Sequence, residues 1–251
     1  MLFRSTGVIT ITSATCTGTS STNFTVSCGS VLTVRAFIQG YYDDACVLCG
    51  TMKPVLLASN VVGATSTQVD TVTIELHAAS SPYGFVESSS GILSTTGFVG
   101  VPFSGARVGG SYFIVIKHRN SIDTWSSTAH TIASVDTFDF TSGSGQAYQN
   151  QFPVDPPPYT LAPLIQVQPG IWAIYNGDVG SGTYAVLDGL CDVSDGNWLE
   201  QDANIYNTIQ IPDYYVTDIT GDGVPDVSDY NLEETNFLID GTNAVVSQYP
   251  H

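Results

Sequence analysis

Basic side chains are scarce in this sequence. Lysine and arginine together number 6, against 23 aspartates and glutamates, so the 251 residues carry a formal net charge of −17. The last of the six is Arg119, and residues 120–251 contain no lysine or arginine. A chain with this charge repels polyanions, so nucleic-acid binding is not expected. The acid excess instead favours bound cations and an extracellular surface.

Long apolar runs are also absent. No stretch of about 18 apolar residues occurs, so the sequence predicts no membrane span. No secretory signal is recognisable before the strand-like residues that follow Arg4. We therefore interpret the chain as a mature product or a fragment of an exported protein.

Signatures of catalysis are missing as well. HExxH, GxSxG, the Walker loop and the glycine-rich dinucleotide turn do not occur. His118 has Asp123 and Ser126 nearby in sequence, which allows a Ser/His/Asp group, but a basic strand end that pairs with acidic residues is the favoured interpretation. Glu75 and Glu87 are candidate carboxylates for glycoside chemistry, yet no pattern indicates the barrel or cleft that this chemistry needs. We expect no enzymatic activity.

One acidic loop near the C-terminus has the spacing of a calcium site. Residues 218–229 place oxygen donors at loop positions 1, 3, 5, 9 and 12 and a glycine at position 6, which is the EF-hand ligand pattern. Ca²⁺ takes about six to eight oxygen ligands, and position 7 adds a backbone carbonyl. Without a cation, the crowded carboxylates repel one another. The predicted ligands are Asp218, Thr220, Asp222, Val224, Asp226 and Asp229.

A second loop, earlier in the chain, repeats this pattern. The sequence DGLCDVSD at 188–195 aligns with DGVPDVSD at 222–229. Position 1 of the earlier loop falls on Tyr184, which has no carboxylate, and we predict that Asp178 takes that place across an insertion. Both loops end in Asp, which is shorter than the Glu of sensor loops and favours weaker or more rigid binding. One or two Ca²⁺ ions are expected, with Asp178, Asp188, Leu190, Asp192 and Asp195 as ligands of this less regular site.

The duplicated loop, each copy followed by a short helix, resembles the type I dockerin repeat over about residues 177–240. A wider set of runs, including MKPVLL at 52–57, DTVTIELH at 70–77 and SYFIVIKHRN at 111–120, resembles the C-terminal region of large secreted surface proteins of Bacteroidota-type bacteria. Such regions join an immunoglobulin-like sandwich to a dockerin-like calcium unit. The resemblance covers about residues 30–250 and implies an extracellular, non-catalytic role in adhesion or surface architecture.

Five cysteines leave several pairings open. Cys16 and Cys28 flank a predicted turn between two alternating strands, and Cys46 and Cys49 enclose two residues. We favour the disulfides Cys16–Cys28 and Cys46–Cys49, with a zinc site formed by these four residues or free thiols as alternatives. Cys191 lies inside the first acidic loop, where we expect a small buried side chain.

Alternating apolar residues predict a mainly β fold. Turn signals recur every eight to twelve residues or so, which is typical of an immunoglobulin-like antiparallel sandwich. In the run 70–77, Val72, Ile74 and Leu76 are expected to face the core. The predicted strands are 31–38, 70–77, 85–87, 91–93, 98–103, 111–118, 128–133, 137–140 and 167–175. The run 52–57 is expected to be extended, and helices are expected near 193–207 and 227–238.

The chain therefore divides into four predicted parts. These are an N-terminal strand segment (1–30), a sandwich (31–141), a Ser/Gly/Pro-rich strap or linker (142–166) and a dockerin-like calcium-binding domain with a closing strand (167–251).

Three functions are consistent with this organisation. The leading prediction is a subunit of an extracellular filament or adhesive appendage, in which a β-forming segment completes the sheet of a neighbouring copy head-to-tail and Ca²⁺ rigidifies the assembly. The alternatives are a dockerin-like module that binds a partner receptor, and an adhesin that binds a glycan. The assembly residues are predicted to be Gly7, Val8, Ile9, Thr10, Ile11 and Thr12.

Overall fold

The computed structural model describes residues 29–44, 50–149, 162–180, 187–211, 213–237 and 247–250. Within these ranges the strands are β1 (Ser30–Arg35), β2 (Gln68–Ala78), β3 (Phe85–Ser94), β4 (Phe98–Phe103), β5 (Ser111–His118), β6 (Ser121–Trp125), β7 (His130–Thr131), β8 (Val135–Asp139), β9 (Ile165–Gln168) and β10 (Ile171–Ala173). The helices are α1 (Val55–Ala58), α2 (Val193–Ile209) and α3 (Val227–Phe237). Short 3₁₀ turns lie at Gln39–Tyr41, Gly105–Arg107 and Ser144–Gln146.

Two sheets pack face to face. The larger has the strand order β3-β2-β5-β6, and β7 pairs with the other end of β5. The smaller has the order β4-β1-β8, in which β1 and β4 are antiparallel and β1 and β8 are parallel. β9 and β10 form a separate antiparallel hairpin. The predicted fold class is confirmed, because the chain is mainly β with several antiparallel sheets and a small helical part.

The core lies between the sheets because apolar residues alternate along the central strands. Val72, Ile74 and Leu76 of β2 are fully buried, as the sequence pattern predicted, and they belong to the same cluster as Leu32 and Val34 of β1. Burying an aliphatic side chain of this size contributes about 1.5–3 kcal/mol. This cluster also includes Ala173 and Ile174, so β10 packs with the sandwich. The predicted boundary between residues 166 and 167 stays a prediction.

Several element bounds differ from those expected. β3 is one continuous strand, although its three central serines carry no apolar pattern, because β2 supplies paired hydrogen bonds along its whole length. The expected strand 167–175 is instead a hairpin that turns at Gly170, whose φ of +80° suits glycine. The run 52–57, expected to be extended, contains the start of α1, which Pro54 precedes as the N-cap residue.

The two longer helices follow the two acidic loops. Asp192 caps α2, because its Oδ1 accepts the backbone N–H of Ser194 at 2.7 Å. The backbone N–H of Asp192 in turn donates to Oδ2 of Asp195 at 2.8 Å. This reciprocal arrangement is a capping box. No helix among the described residues is long and apolar enough to span a membrane.

Candidate metal centre and its contact with the sandwich

Two buried carboxylates organise the second acidic loop. Asp218 accepts backbone N–H groups from Gly221 at 2.7 Å, Asp222 at 3.1 Å and Gly223 at 2.9 Å. Asp229, the first-turn acid of α3, accepts from Thr220 and from Asp226, both at 2.8 Å. Both side chains are fully buried. The structure therefore brings together the first and last predicted ligands of the loop.

The intermediate positions are held by short-range bonds. Asp222 Oδ1 accepts the Val224 backbone N–H at 3.0 Å. Asp226 Oδ1 accepts from Ser228 N at 2.7 Å and from its hydroxyl at 2.6 Å, which caps the start of α3. The backbone of the loop is thus fixed by its own carboxylates.

The first acidic loop contains several of the hydrogen bonds found in the second. Asp178 Oδ2 accepts from Gly189 N at 3.0 Å, as Asp218 Oδ2 does from Gly223 N. Asp188 accepts from Leu190 N at 2.9 Å, as Asp222 does from Val224 N. Asp195 accepts from Asp192 N at 2.8 Å and from Val179 N at 2.8 Å. Asp178 therefore accepts in the first loop the hydrogen bond that Asp218 accepts in the second, and its role as the first metal ligand stays a prediction.

The buried acids have perturbed ionisation. Burial, with a smaller contribution from nearby carboxylates, raises the pKa of Asp218 to about 6 and that of Asp229 to about 7. In the first loop, burial and the charge of Asp195 raise the pKa of Asp178 to about 8, and burial raises that of Asp195 to about 6. Ionising these groups together is unfavourable in the absence of a neutralising cation.

The residues of the second loop fit a hard divalent cation. The Thr220 hydroxyl is buried without a hydrogen-bond partner among the described residues, although it lies close enough to lower the pKa of Asp229. It stands at position 3 of the loop, where the pattern requires an oxygen ligand. A spare hydroxyl beside acids that resist ionisation suits Ca²⁺, which prefers oxygen ligands. Calcium binding at either loop stays a prediction.

The second loop packs on the α1 region of the sandwich. A Cβ atom on Gly223 would lie 2.5 Å from the carbonyl oxygen of Ala58 in α1, and one on Gly221 would lie 2.6 Å from Tyr41 Cδ1. Both glycines have positive φ, +87° and +75°. Lys53 donates to the Thr220 carbonyl at 2.8 Å. The loop is therefore held against the sandwich by close backbone contact that only glycine permits.

A cluster of buried amides connects the two parts of the chain. Asn120, which follows β5, donates to the carbonyl oxygens of Asp218 at 3.0 Å and Val216 at 3.1 Å. Asn176 donates to Asn120 Oδ1 at 3.0 Å, and Asn236 of α3 donates to the Asn176 carbonyl at 2.7 Å. These three asparagines, the amide cluster, are fully buried. Sequence reasoning missed them, because an isolated asparagine gives no periodic signal.

Asp70, His118 and Arg119 form a buried charged group beside this cluster. Asp70 Oδ2 lies 2.8 Å from Arg119 Nε and 3.2 Å from His118 Nε2. Burial opposes ionisation of Asp70, but His118 and Arg119 outweigh it and hold the pKa of that carboxyl well below its usual range. Arg119 also donates to the Tyr215 carbonyl and stacks 4.0 Å from the Tyr214 ring centroid. This group therefore joins the sandwich to the segment before the second loop.

The alternative Ser/His/Asp group is not assembled from the expected partners. Asp123 pairs with Lys117 at 2.7 Å, and Ser126 donates to the Thr128 carbonyl at 2.9 Å. His118 Nδ1 instead lies 3.0 Å from Ser121 Oγ, and both residues are buried. A substrate has no access to these atoms in this arrangement.

Some predicted sites lie outside the described residues. These are the assembly segment 7–12 and the four cysteines of the predicted disulfides, which stay predictions. Cys191 is described and is a free, buried thiol. Tyr41 and Tyr42 are buried in the core, so these two adjacent rings are not available to stack on a glycan.

The fold and the loops together define a mainly β protein with a duplicated acidic loop–helix unit. No protein-family model and no curated protein matches the chain. Two solved structures overlap with it, an N-terminal and a C-terminal interface mutant of a type II cohesin–X-dockerin complex from Acetivibrio cellulolyticus. Each is 12% identical to this chain with a TM-score of 0.46, and the matched region covers 88% of this chain and 100% of the solved chain. Overlap at this level establishes neither a shared family nor a shared function.

Proposed function

We propose that this chain is an extracellular, non-catalytic docking module, in which Ca²⁺ holds two loop–helix units in place to bind a protein partner. The sandwich acts as a rigid base for these units. Support for the base comes from the amide cluster and from the contact of Gly223 with α1. Each is a buried contact that fixes the second loop relative to the sheets.

One observation carries the choice of the helices as the binding surface. Val193 and Val227, the first residues of α2 and α3, are 64% and 69% exposed. They stand at the same position, the tenth, of the two acidic loops, so the duplication presents the same apolar side chain twice. Ile205 and Ile209 of α2 and Tyr230 of α3 are exposed as well. Exposed apolar side chains grouped on one unit mark an interaction surface.

The groove between the helices shows which partner chemistry fits. Its lining combines Leu199, Ala203, Val227 and Tyr230 with acids such as Asp226, and encloses about 660 Å³. Because residues 120–251 contain no lysine or arginine, this surface offers negative charge around its apolar centre. A protein surface with an apolar centre and a lysine- and arginine-rich rim is the expected partner.

The test is affinity capture from the extracellular fraction of the source organism, with calcium or with EGTA. The double variant Val193→Asp/Val227→Asp removes the paired apolar residues, and Val62→Asp changes a valine that is 99% exposed on the sandwich side. We expect one partner to be retained in calcium by the wild type and by Val62→Asp, and lost with EGTA or with the double variant. Equal retention by both variants would exclude the helices as the binding surface.

A glycan is the second candidate ligand, favoured by an aromatic groove where the strands β2 and β6 end in the chain direction. His77, Phe85, Trp125 and Tyr249 line it, and the ring centroids of His77 and Trp125 are 4.4 Å apart. Aromatic faces of this kind stack on sugars. Binding on a glycan array that is lost in Trp125→Ala would establish this function, and an array with no signal would remove it.

Filament assembly stays a prediction. Negative-stain microscopy with calcium and with EGTA tests it directly. Filaments that disappear when residues 1–13 are deleted would replace the docking proposal, whereas uniform particles in both conditions would not support self-assembly.

A further inference from the structure

A second group of potential metal ligands lies in the core between α2 and α3. Cys191, Asp195 and Glu233 place a sulfur and two carboxylate oxygens within 4.8 Å of one another. All three residues are buried, and Cys191 is completely enclosed. Only Asp195 belongs to the predicted calcium ligands, so Cys191 and Glu233 have no assigned role.

Glu233 is the unusual member of this group. Four residues after the closing Asp of each loop, the first unit has the buried Leu199 and the second has Glu233, which is 2% exposed. Its Oε1 has no hydrogen-bond partner among the described residues. A buried carboxyl group is unfavourable unless it is paired or bound to a metal. Residues 120–251 supply no lysine or arginine for that pairing.

The sulfur of Cys191 is held in a fixed position beside this carboxylate. Its Sγ lies 3.9 Å from the Glu233 backbone carbonyl. A Cβ atom on Gly177 would come within 2.3 Å of the same sulfur, so the backbone at Gly177 is shaped around it. The aligned position in the other loop is Pro225, which offers no ligand atom.

We propose that Cys191, Asp195 and Glu233 bind a borderline divalent cation of the Zn²⁺ type. A thiolate is a poor ligand for Ca²⁺ but a good one for Zn²⁺, which accepts sulfur and carboxylate oxygen together. Binding replaces the thiol proton and any carboxyl proton, which leave to solvent. Tetrahedral coordination needs ligand atoms roughly 3.4 Å apart, so the side chains close inward by about 1 Å. Water completes the coordination.

This site shares Asp195 with the first acidic loop, so the two cations compete for that carboxylate. The inference does not depend on what the helices bind. Its failure would leave the docking proposal intact, because the docking test depends on Val193 and Val227.

Co²⁺ titration in calcium-free buffer tests the site, because a cobalt–thiolate bond gives a near-ultraviolet charge-transfer band. We expect this band at one equivalent in the wild type and in Glu234→Leu, a matched change at the exposed neighbour. It should vanish in Cys191→Ala and require at least tenfold more Co²⁺ in Glu233→Leu. Glu233→Leu introduces the leucine that the first unit has at the aligned position, Leu199, so this variant should fold at least as stably as the wild type without metal.

Two results would overturn the proposal. One is the absence of a charge-transfer band in the wild type. The other is a band that persists in Cys191→Ala, since another cysteine would then hold the cobalt. If Cys191→Ala does not fold, the comparison of Glu233→Leu with Glu234→Leu decides, and equal cobalt affinity of the two would refute the site.

Discussion

Calcium binding should release protons, and the number released should depend on pH in a way that identifies the loop. In the metal-free protein, the pKa of Asp218 is about 6 and that of Asp229 is about 7. A bound cation requires both carboxylates to be ionised. Calcium therefore displaces whichever protons these groups hold at the working pH.

The number of protons released on calcium binding follows from the pKa values. At pH 6 the second loop holds between about one and two protons, so its calcium affinity should rise about tenfold or more per pH unit. At pH 8 it holds almost none, and the dependence should disappear. The first loop differs, because the pKa of Asp178 is about 8. Proton release that continues at pH 8 would therefore report that the first loop also binds calcium.

Calorimetric titration in buffers of different ionisation enthalpy measures these protons. Asp218→Asn should remove the release assigned to the second loop, while Glu234→Gln, a change at an exposed acid, should not alter it. Calcium binding at pH 6 without proton release would refute the reasoning, since the buried acids would then already be ionised. A titration that shows no heat in any of the buffers at either pH would contradict the assignment of both loops as calcium sites.

The remaining predictions concern stability. Without metal, the raised pKa values mean that the folded chain retains protons that the unfolded chain has lost, so the free energy of unfolding should fall as pH rises from about 4 to 8. Melting curves of the metal-free protein in EGTA at pH 5 and pH 8 test whether the melting temperature is lower at pH 8. EGTA should lower the melting temperature and increase proteolysis within residues 177–240, and unchanged behaviour would contradict the calcium assignment. Gly223→Ala should cost a few kcal/mol, against about 1 for Gly63→Ala, which has similar φ (+84°) but open space around it. Asn120→Ala should cost about 2–4 kcal/mol in chemical denaturation because it leaves buried carbonyls unpaired, whereas the exposed Asn197→Ala should be nearly neutral.

Local patterns were sufficient for much of the architecture. β4 and β5 have the predicted bounds, and α2 and α3 begin at the predicted residues. Alternation and capping residues act over a few positions, so they can be recognised without tertiary contacts. Spacing alone places Tyr184 at position 1 of the first loop, so the assignment of Asp178 to that position depends on an insertion and stays a prediction.

Contacts between distant parts of the chain could not be recognised from such patterns. The continuous β3 depends on pairing with β2, and α1 packs against a loop that follows it by more than 160 residues. The amide cluster joins Asn120, Asn176 and Asn236, which no local period relates. Cys191 and Glu233 are likewise brought together only by tertiary packing, since they are 42 residues apart in sequence.

The sequence by itself determined the fold class, the acidic loop pattern and its duplication, because each follows from residue type and short spacing. Only the tertiary structure decided where the loops lie and which carboxylates are buried. The physical reason is that burial, and with it the raised pKa of Asp218 and Asp229, depends on surfaces brought together from the whole chain. Spacing indicates which oxygens are available, and packing decides how strongly they need a cation.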